Sequence, residues 1–113
     1  MQQDNLIERS PTIFNGRATH NGKEVLIDYI PFPENVQGSV YGMIAEQKRR
    51  YIILIDSTRC GLVQRRAIGH ELAHLCLNHL RNGKPVAENE REANARTWEF
   101  YRRYKDIRKV NAV

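Results

Sequence analysis

Apolar and polar positions change their spacing along this chain, and each change marks an element. The run Glu24-Val25-Leu26-Ile27-Asp28-Tyr29-Ile30 is strand-like, and Asn21-Gly22 separates it from Arg17-Ala18-Thr19. That dipeptide favours the type I′ turn of a tight hairpin, so a first pair of strands is expected there. Pro31-Phe32-Pro33 stops the second strand, because proline has no N–H for a ladder and restrains the residue before it. A mixed segment, residues 39–45, and the polar Glu46-Gln47-Lys48-Arg49 then lead into Tyr51-Ile52-Ile53-Leu54-Ile55. This pattern predicts a second hairpin whose last strand is buried on both faces, with Gly38 and Gly42 marking bends or a bulge.

After Asp56-Ser57-Thr58, which offers cap and turn chemistry, the spacing becomes helical. A helix is expected over about residues 61–80, closed by the basic and turn-forming Arg81-Asn82-Gly83-Lys84-Pro85. At about 100° per residue, Ile68, Leu72, Leu75, Cys76 and His79 gather on one side, and Val63, Ala67, His70, Glu71 and His74 on another. A second long helix starts near Val86 and carries an apolar stripe of Ala93, Thr97, Phe100, Tyr101, Tyr104 and Ile107. Arg96, Glu99, Arg102, Arg103 and Lys105 form its outer side. The expected fold class is α+β, with a small, mainly antiparallel sheet of three or four strands packed on two helices.

A length of 113 residues suits one domain, residues 1–113, in which the polar residues 1–11 read as a loose arm ending at Ser10-Pro11. Apolar residues at 41% and charged residues at 27% are ordinary for a soluble globular protein. The longest apolar run, residues 51–55, is far too short to span a bilayer, so no membrane partner is expected. Met1-Gln2-Gln3-Asp4-Asn5 has neither a basic nor an apolar region of the signal-peptide kind, and a cytoplasmic protein is expected. The net charge of +5 is spread over Lys48-Arg49-Arg50, Arg65-Arg66 and Arg102-Arg103-Tyr104-Lys105. Such dispersal describes a solvated basic surface better than a nucleic-acid footprint, so direct nucleic-acid binding is kept only as an alternative. Cys60 and Cys76 fit neither a zinc knuckle nor a redox pair and read as reduced structural thiols.

The chemistry concentrates in Ala67-Ile68-Gly69-His70-Glu71-Leu72-Ala73-His74-Leu75. Residues four apart on a helix share a face, so His70 and His74 can aim two imidazole nitrogens at one metal ion, with Glu71 beside them. This arrangement belongs to zinc hydrolases, in which the metal activates water and a carboxylate takes the proton. A catalytic zinc wants a third protein ligand. His79 is half a turn out of phase with His70 on a continuous helix, and reads instead as a core-facing or capping residue. His20, next to the Asn-Gly turn, reads as ordinary surface. In Glu88-Asn89-Glu90-Arg91-Glu92, Glu90 falls about 50° from the middle of the second helix's apolar stripe, whereas Glu88 and Glu92 fall more than about 100° away. Packing that stripe on the first helix turns Glu90 toward the histidines and Glu92 outward.

Taken together, Asp56-Ser57, Gln64-Arg65-Arg66-Ala67-Ile68-Gly69-His70-Glu71-Leu72-Ala73-His74 with its following Leu75-Cys76-Leu77-Asn78-His79, and Glu90-Arg91-Glu92-Ala93-Asn94 resemble the ImmA/IrrE family of zinc metallopeptidases. Pro33-Glu34-Asn35-Val36-Gln37-Gly38 adds to the likeness, which covers roughly residues 30–100. In the wider gluzincin group the third ligand is a Glu four residues before an Asp or Asn, which here selects Glu90 with Asn94. The resemblance implies a zincin-like fold in which the substrate lies extended along an edge strand. It also implies an intracellular zinc endopeptidase whose substrate is a helix-turn-helix, DNA-binding repressor. His70, His74 and Glu90 would be the Zn2+ ligands, Glu71 the catalytic base, and Asn94 a residue steadying a ligand histidine, with Glu92 the alternative third ligand. A nearby Tyr or His would hold the oxyanion. The residues before the sheet do not match the family's usual N-terminal helix, Ala73 stands where Gly is common, and the run Ala95-Arg96-Thr97-Trp98-Glu99-Phe100 departs from the family's pattern. A non-cleaving anti-repressor that only binds its protein partner is the main alternative.

Overall fold

The structure, a computed structural model, describes residues 12–14, 17–35, 41–104, 107 and 109–110. Three strands, β1 (Thr12–Phe14), β2 (Arg17–His20) and β3 (Lys23–Ile30), run antiparallel in sequence. Between β2 and β3, Asn21 and Gly22 both take positive φ, 53° and 76°, which the type I′ turn requires. Strand β3 stops before Pro31, and Phe32 folds inward, donating its N–H to the Asp56 carboxylate. The expected arm over residues 1–11, and Gly38 with its expected bend, lie outside the described residues.

The second expected hairpin is present as β4 (Gly42–Glu46) and β5 (Arg50–Asp56), with Gly42 in regular register opposite Ile55. Its placement differs from a simple meander. Strand β5 inserts between β4 and β3, and runs parallel to β3 from the Glu24–Arg50 pair to the Ile30–Asp56 pair. The sheet is therefore mixed where a mainly antiparallel one was expected. The physical reason is that the two most apolar strands bury most when they lie side by side at the centre, and the connection through β4 is long enough to permit it. Four strands have four or more residues, and the short β1 extends the order to β1-β2-β3-β5-β4.

Val25, Ile27, Tyr51, Ile53 and Ile55 form the sheet's side of one core, and Ile52 and Leu54 on the other face of β5 are only half-buried. That strand is thus closed on one face, not on both. Asp56 is fully buried at its end, where it binds the N–H groups of Phe32 and Thr58, the Thr58 hydroxyl and Arg59. Burial alone would raise its pKa, but these donors outweigh it and hold the carboxyl below the usual range. The cap chemistry read at residues 56–58 therefore secures the turn. The helix itself begins later, after Cys60, which makes no side-chain cap bond.

Helix α1 (Gly61–Cys76) buries Ile68, Leu72, Leu75 and Cys76, as the wheel requires. It ends four residues earlier than expected. Asn78 enters the left-handed region at φ 61°, its N–H bonds the Leu75 carbonyl, and the His79 N–H bonds the His74 carbonyl. This Schellman closure satisfies the last carbonyls and reverses the chain. Helix α2 (Val86–Tyr104) buries Ala93, Thr97, Phe100 and Tyr104. Ile107 is buried just beyond its end, and β6 (Lys109–Val110) then pairs in parallel with Ile27 and Asp28 of β3. The helices meet closely where Gly69 faces Thr97, with Ala73 and Ala93 also buried in the core. A Cβ on Gly69 would stand 2.1 Å from the Thr97 carbonyl oxygen. No helix among the described residues is long and apolar enough to cross a membrane.

Candidate metal centre

The close crossing at Gly69 sets the distance between the two helices where His70, His74 and Glu90 face one another. Helical spacing puts the two histidines one turn apart, and their Nε2 atoms stand 3.0 Å from each other. From α2, Glu90 reaches His70 Nε2 at 3.1 Å with one carboxylate oxygen and His74 Nε2 at 2.7 Å with the other. The four atoms converge from three side chains on a common point, and such a His-His-Glu group could hold a metal ion. The donor set passes a simple test. Ligand atoms around a tetrahedral zinc stand about 3.3 Å apart, given metal–ligand distances near 2.0 Å, so small side-chain adjustments suffice.

These groups line a cleft of about 680 Å³ between α1, α2 and β4. Val63, Ala67, His70, Glu71 and His74, the whole face picked out by the wheel, are on its wall. Tyr41, Gly42, Met43 and Ile44 contribute the opposite side along the outer strand β4. Gly42 lies tight against this wall, since a Cβ would come within 3.2 Å of both Glu71 Cγ and Ile55 Cδ1 and within 3.3 Å of the Leu54 carbonyl oxygen.

Glu71 sits under that strand. Burial, and then the negative charge of Glu90, push its pKa up to about 7. His74 moves the other way. Its burial is the main cause, His70 and His79 add to it, and the Glu90 charge opposes it, leaving the imidazole at about 4 and so neutral at pH 7. A neutral imidazole is the form that binds a metal.

The structure bears on three further sequence expectations. Asn94 lines the cleft but is exposed one turn beyond Glu90, and among the described residues it makes no hydrogen bond to His70 or His74. His20 is buried, packed edge-on against the Tyr51 ring at 5.9 Å, so it is not ordinary surface. His79 does close the helix end, through its N–H to the His74 carbonyl, and its side chain is buried, but it lies beside the histidine pair and not on the apolar face. The left-handed Asn78 swings it back beside His74, where the two Nδ1 atoms are 2.8 Å apart, and its Nε2 meets Glu92 at 2.7 Å. Glu92 is thereby engaged with His79 and stands outside the His-His-Glu group. The wheel missed this because it assumed that the helix continues. Asn78, a residue able to go left-handed, was the available signal.

Lys48, Arg49 and Arg50 surround the β4–β5 turn, Arg66 lines the cleft, and Arg103 pairs with Glu99 at 2.7 Å. Cys60 is exposed and Cys76 buried, and neither is in a disulfide among the described residues. Comparison of the chain with protein-family models, curated proteins and solved structures gives no match.

Proposed function

We propose that this protein is a zinc-dependent endopeptidase of the gluzincin kind, with His70, His74 and Glu90 as the metal ligands and Glu71 as the general base. The observation that carries the reading is the convergence of His70, His74 and Glu90 in a cleft that also holds Glu71, a carboxylate outside the ligand set. Two imidazoles and one carboxylate suit zinc, and three protein ligands leave a position for substrate chemistry. Zinc supplies Lewis acidity, activating water and polarising a carbonyl.

The rest is done by side chains of this chain. Glu71 accepts the proton of the attacking water and delivers it to the leaving amine, a role open to it as the cleft carboxylate outside the ligand set. Tyr41 lines the cleft, and we assign it the donor's part toward the developing oxyanion. The outer edge of β4 has no strand partner among the described residues, so an extended segment of a protein substrate can add to the sheet beside the centre. The likeness to ImmA/IrrE peptidases makes a helix-turn-helix repressor the substrate of first choice.

The test uses purified protein loaded with zinc, a candidate repressor, and mass spectrometry of the products. Glu71→Gln should keep one bound zinc and lose about 10²-fold or more in cleavage. A variant that cuts as fast as wild type removes Glu71 from its role. A zinc-loaded wild type that binds the repressor and leaves it intact supports the anti-repressor reading instead.

A further inference from the structure

We infer that His79 and Glu92 form a positioning relay behind His74, fixing the tautomer and orientation of that histidine toward the metal. The inference rests on the metal reading and adds two residues to it. It starts from proton placement. His74 presents Nε2 to His70 and Glu90, so Nε2 carries the lone pair when a metal is held and the ring proton sits on Nδ1. That Nδ1 is 2.8 Å from His79 Nδ1, so His74 donates and His79 accepts. The remaining proton of His79 is then on Nε2, which donates to the Glu92 carboxylate at 2.7 Å. With a metal at His74 Nε2, this one arrangement of protons satisfies both the His74–His79 and the His79–Glu92 contacts. The chain of bonds runs from a carboxylate through two imidazoles to the metal position.

The surroundings make this a built device. The His79 side chain is 2% exposed, which keeps water from taking over its bond to His74, while Glu92 at 46% stays accessible at the outer end. The two rings lie 5.0 Å apart at 68°, an edge-on contact that restricts rotation of His74. The backbone enforces the geometry too, since the His79 N–H is tied to the carbonyl of His74 itself through the Schellman closure. A carboxylate at the end of such a chain raises the basicity of the ligand nitrogen, and partners of this kind are typically worth about 10- to 100-fold in metal affinity. Glu92 does not line the cleft, and His79 lines it but stands outside the His-His-Glu group, so both reach the metal position through His74.

The experiment measures zinc affinity by competition with a chromophoric chelator, with circular dichroism and thermal unfolding of each metal-free variant as folding checks. His79→Leu should lower zinc affinity about 10-fold or more. His79→Asn should recover part of the loss, because its Oδ1 can stand where Nδ1 accepted the His74 proton. Glu92→Ala, an exposed change that leaves the fold intact, should lower affinity several-fold, and Glu88→Ala, at an exposed position nearby, should leave it unchanged. In 15N spectra of the zinc-loaded protein, His79 should be protonated on Nε2 and His74 on Nδ1. Zinc binding within two-fold of wild type in both His79→Leu and Glu92→Ala, or a His79 protonated on Nδ1, overturns the relay while leaving the metal site standing. Wild-type protein that binds no zinc overturns both.

Discussion

Gly69→Ala is the sharpest test of how the fold makes the site, because the obstacle is backbone. The added methyl would lie 2.1 Å from the Thr97 carbonyl oxygen, 3.0 Å from the Thr97 carbonyl carbon and 3.0 Å from Tyr101 Cβ. No rotamer change relieves a clash with a carbonyl inside a helix, so α1 and α2 must separate by more than about 1 Å at the crossing. Overpacking of this kind costs about 1–3 kcal/mol, and the top of that range applies when neither side can yield. Alanine recovers about 1 kcal/mol through its better helix propensity. The expected net loss is about 2 kcal/mol, or a fall in Tm of roughly 8 °C at about 4 °C per kcal/mol for a domain of this size. Separation at Gly69 also draws Glu90 away from His70 and His74, so zinc affinity should fall with stability. Thermal and urea unfolding measure the first effect, and chelator competition the second. The matched control is Gly61→Ala at the exposed start of α1, where the methyl meets only the movable Arg65 guanidinium and stability should rise slightly. A Gly69→Ala protein as stable as wild type, with unchanged zinc affinity, would refute the claim that this close approach sets the helix spacing.

Other perturbations give separable results. For Glu71 in metal-free protein, the folded pKa of about 7 lies above the ordinary 4.5, so its contribution is fully present below pH 4.5 and is lost as pH rises through 7. Glu71→Gln should therefore be more stable than wild type above pH 7, by on the order of 2–3 kcal/mol, with the difference shrinking toward pH 4.5 in urea titrations. Equal stability at both pH values would contradict the buried, Glu90-facing carboxylate. Zinc at about 1,000 times its Kd should stabilise the protein by about 4 kcal/mol, and His74→Ala should abolish that gain in a thermal shift assay. Asn78→Ala places a Cβ-bearing residue that cannot bond locally at φ 61° and should cost about 1 kcal/mol, whereas Asn78→Gly should match wild type. Identical losses for the two would show that the left-handed turn is unimportant.

Much of the candidate site was readable because it depends on local periodicity. Four-residue spacing alone puts His70 and His74 on one helix face with Glu71 nearby. The stripe of Ala93, Thr97 and Phe100 correctly aims Glu90 at that face, and Asn21-Gly22 specifies its turn from backbone sterics. These readings need no knowledge of distant residues. The parallel pairing of β3 with β5 was not readable, because local pattern marks a strand as buried and leaves its neighbour undetermined. Asn94 meets a related limit. Its position four residues after Glu90 gives a direction on the helix, and whether a side chain reaches a partner depends on the separation between helices.

That separation is tertiary, and it comes from a glycine meeting a carbonyl 28 positions away along the chain. The left-handed turn at Asn78 is local in mechanism, but its result is not. It converts His79 from a residue on the wrong face into one joined to His74 and Glu92, which lie on different helices. Sequence by itself determined which residue types share a helical face, since that follows from 3.6 residues per turn. Only the packed structure decided which faces meet, how closely, and which carboxylate each histidine finds, because those depend on backbone approach across the whole chain.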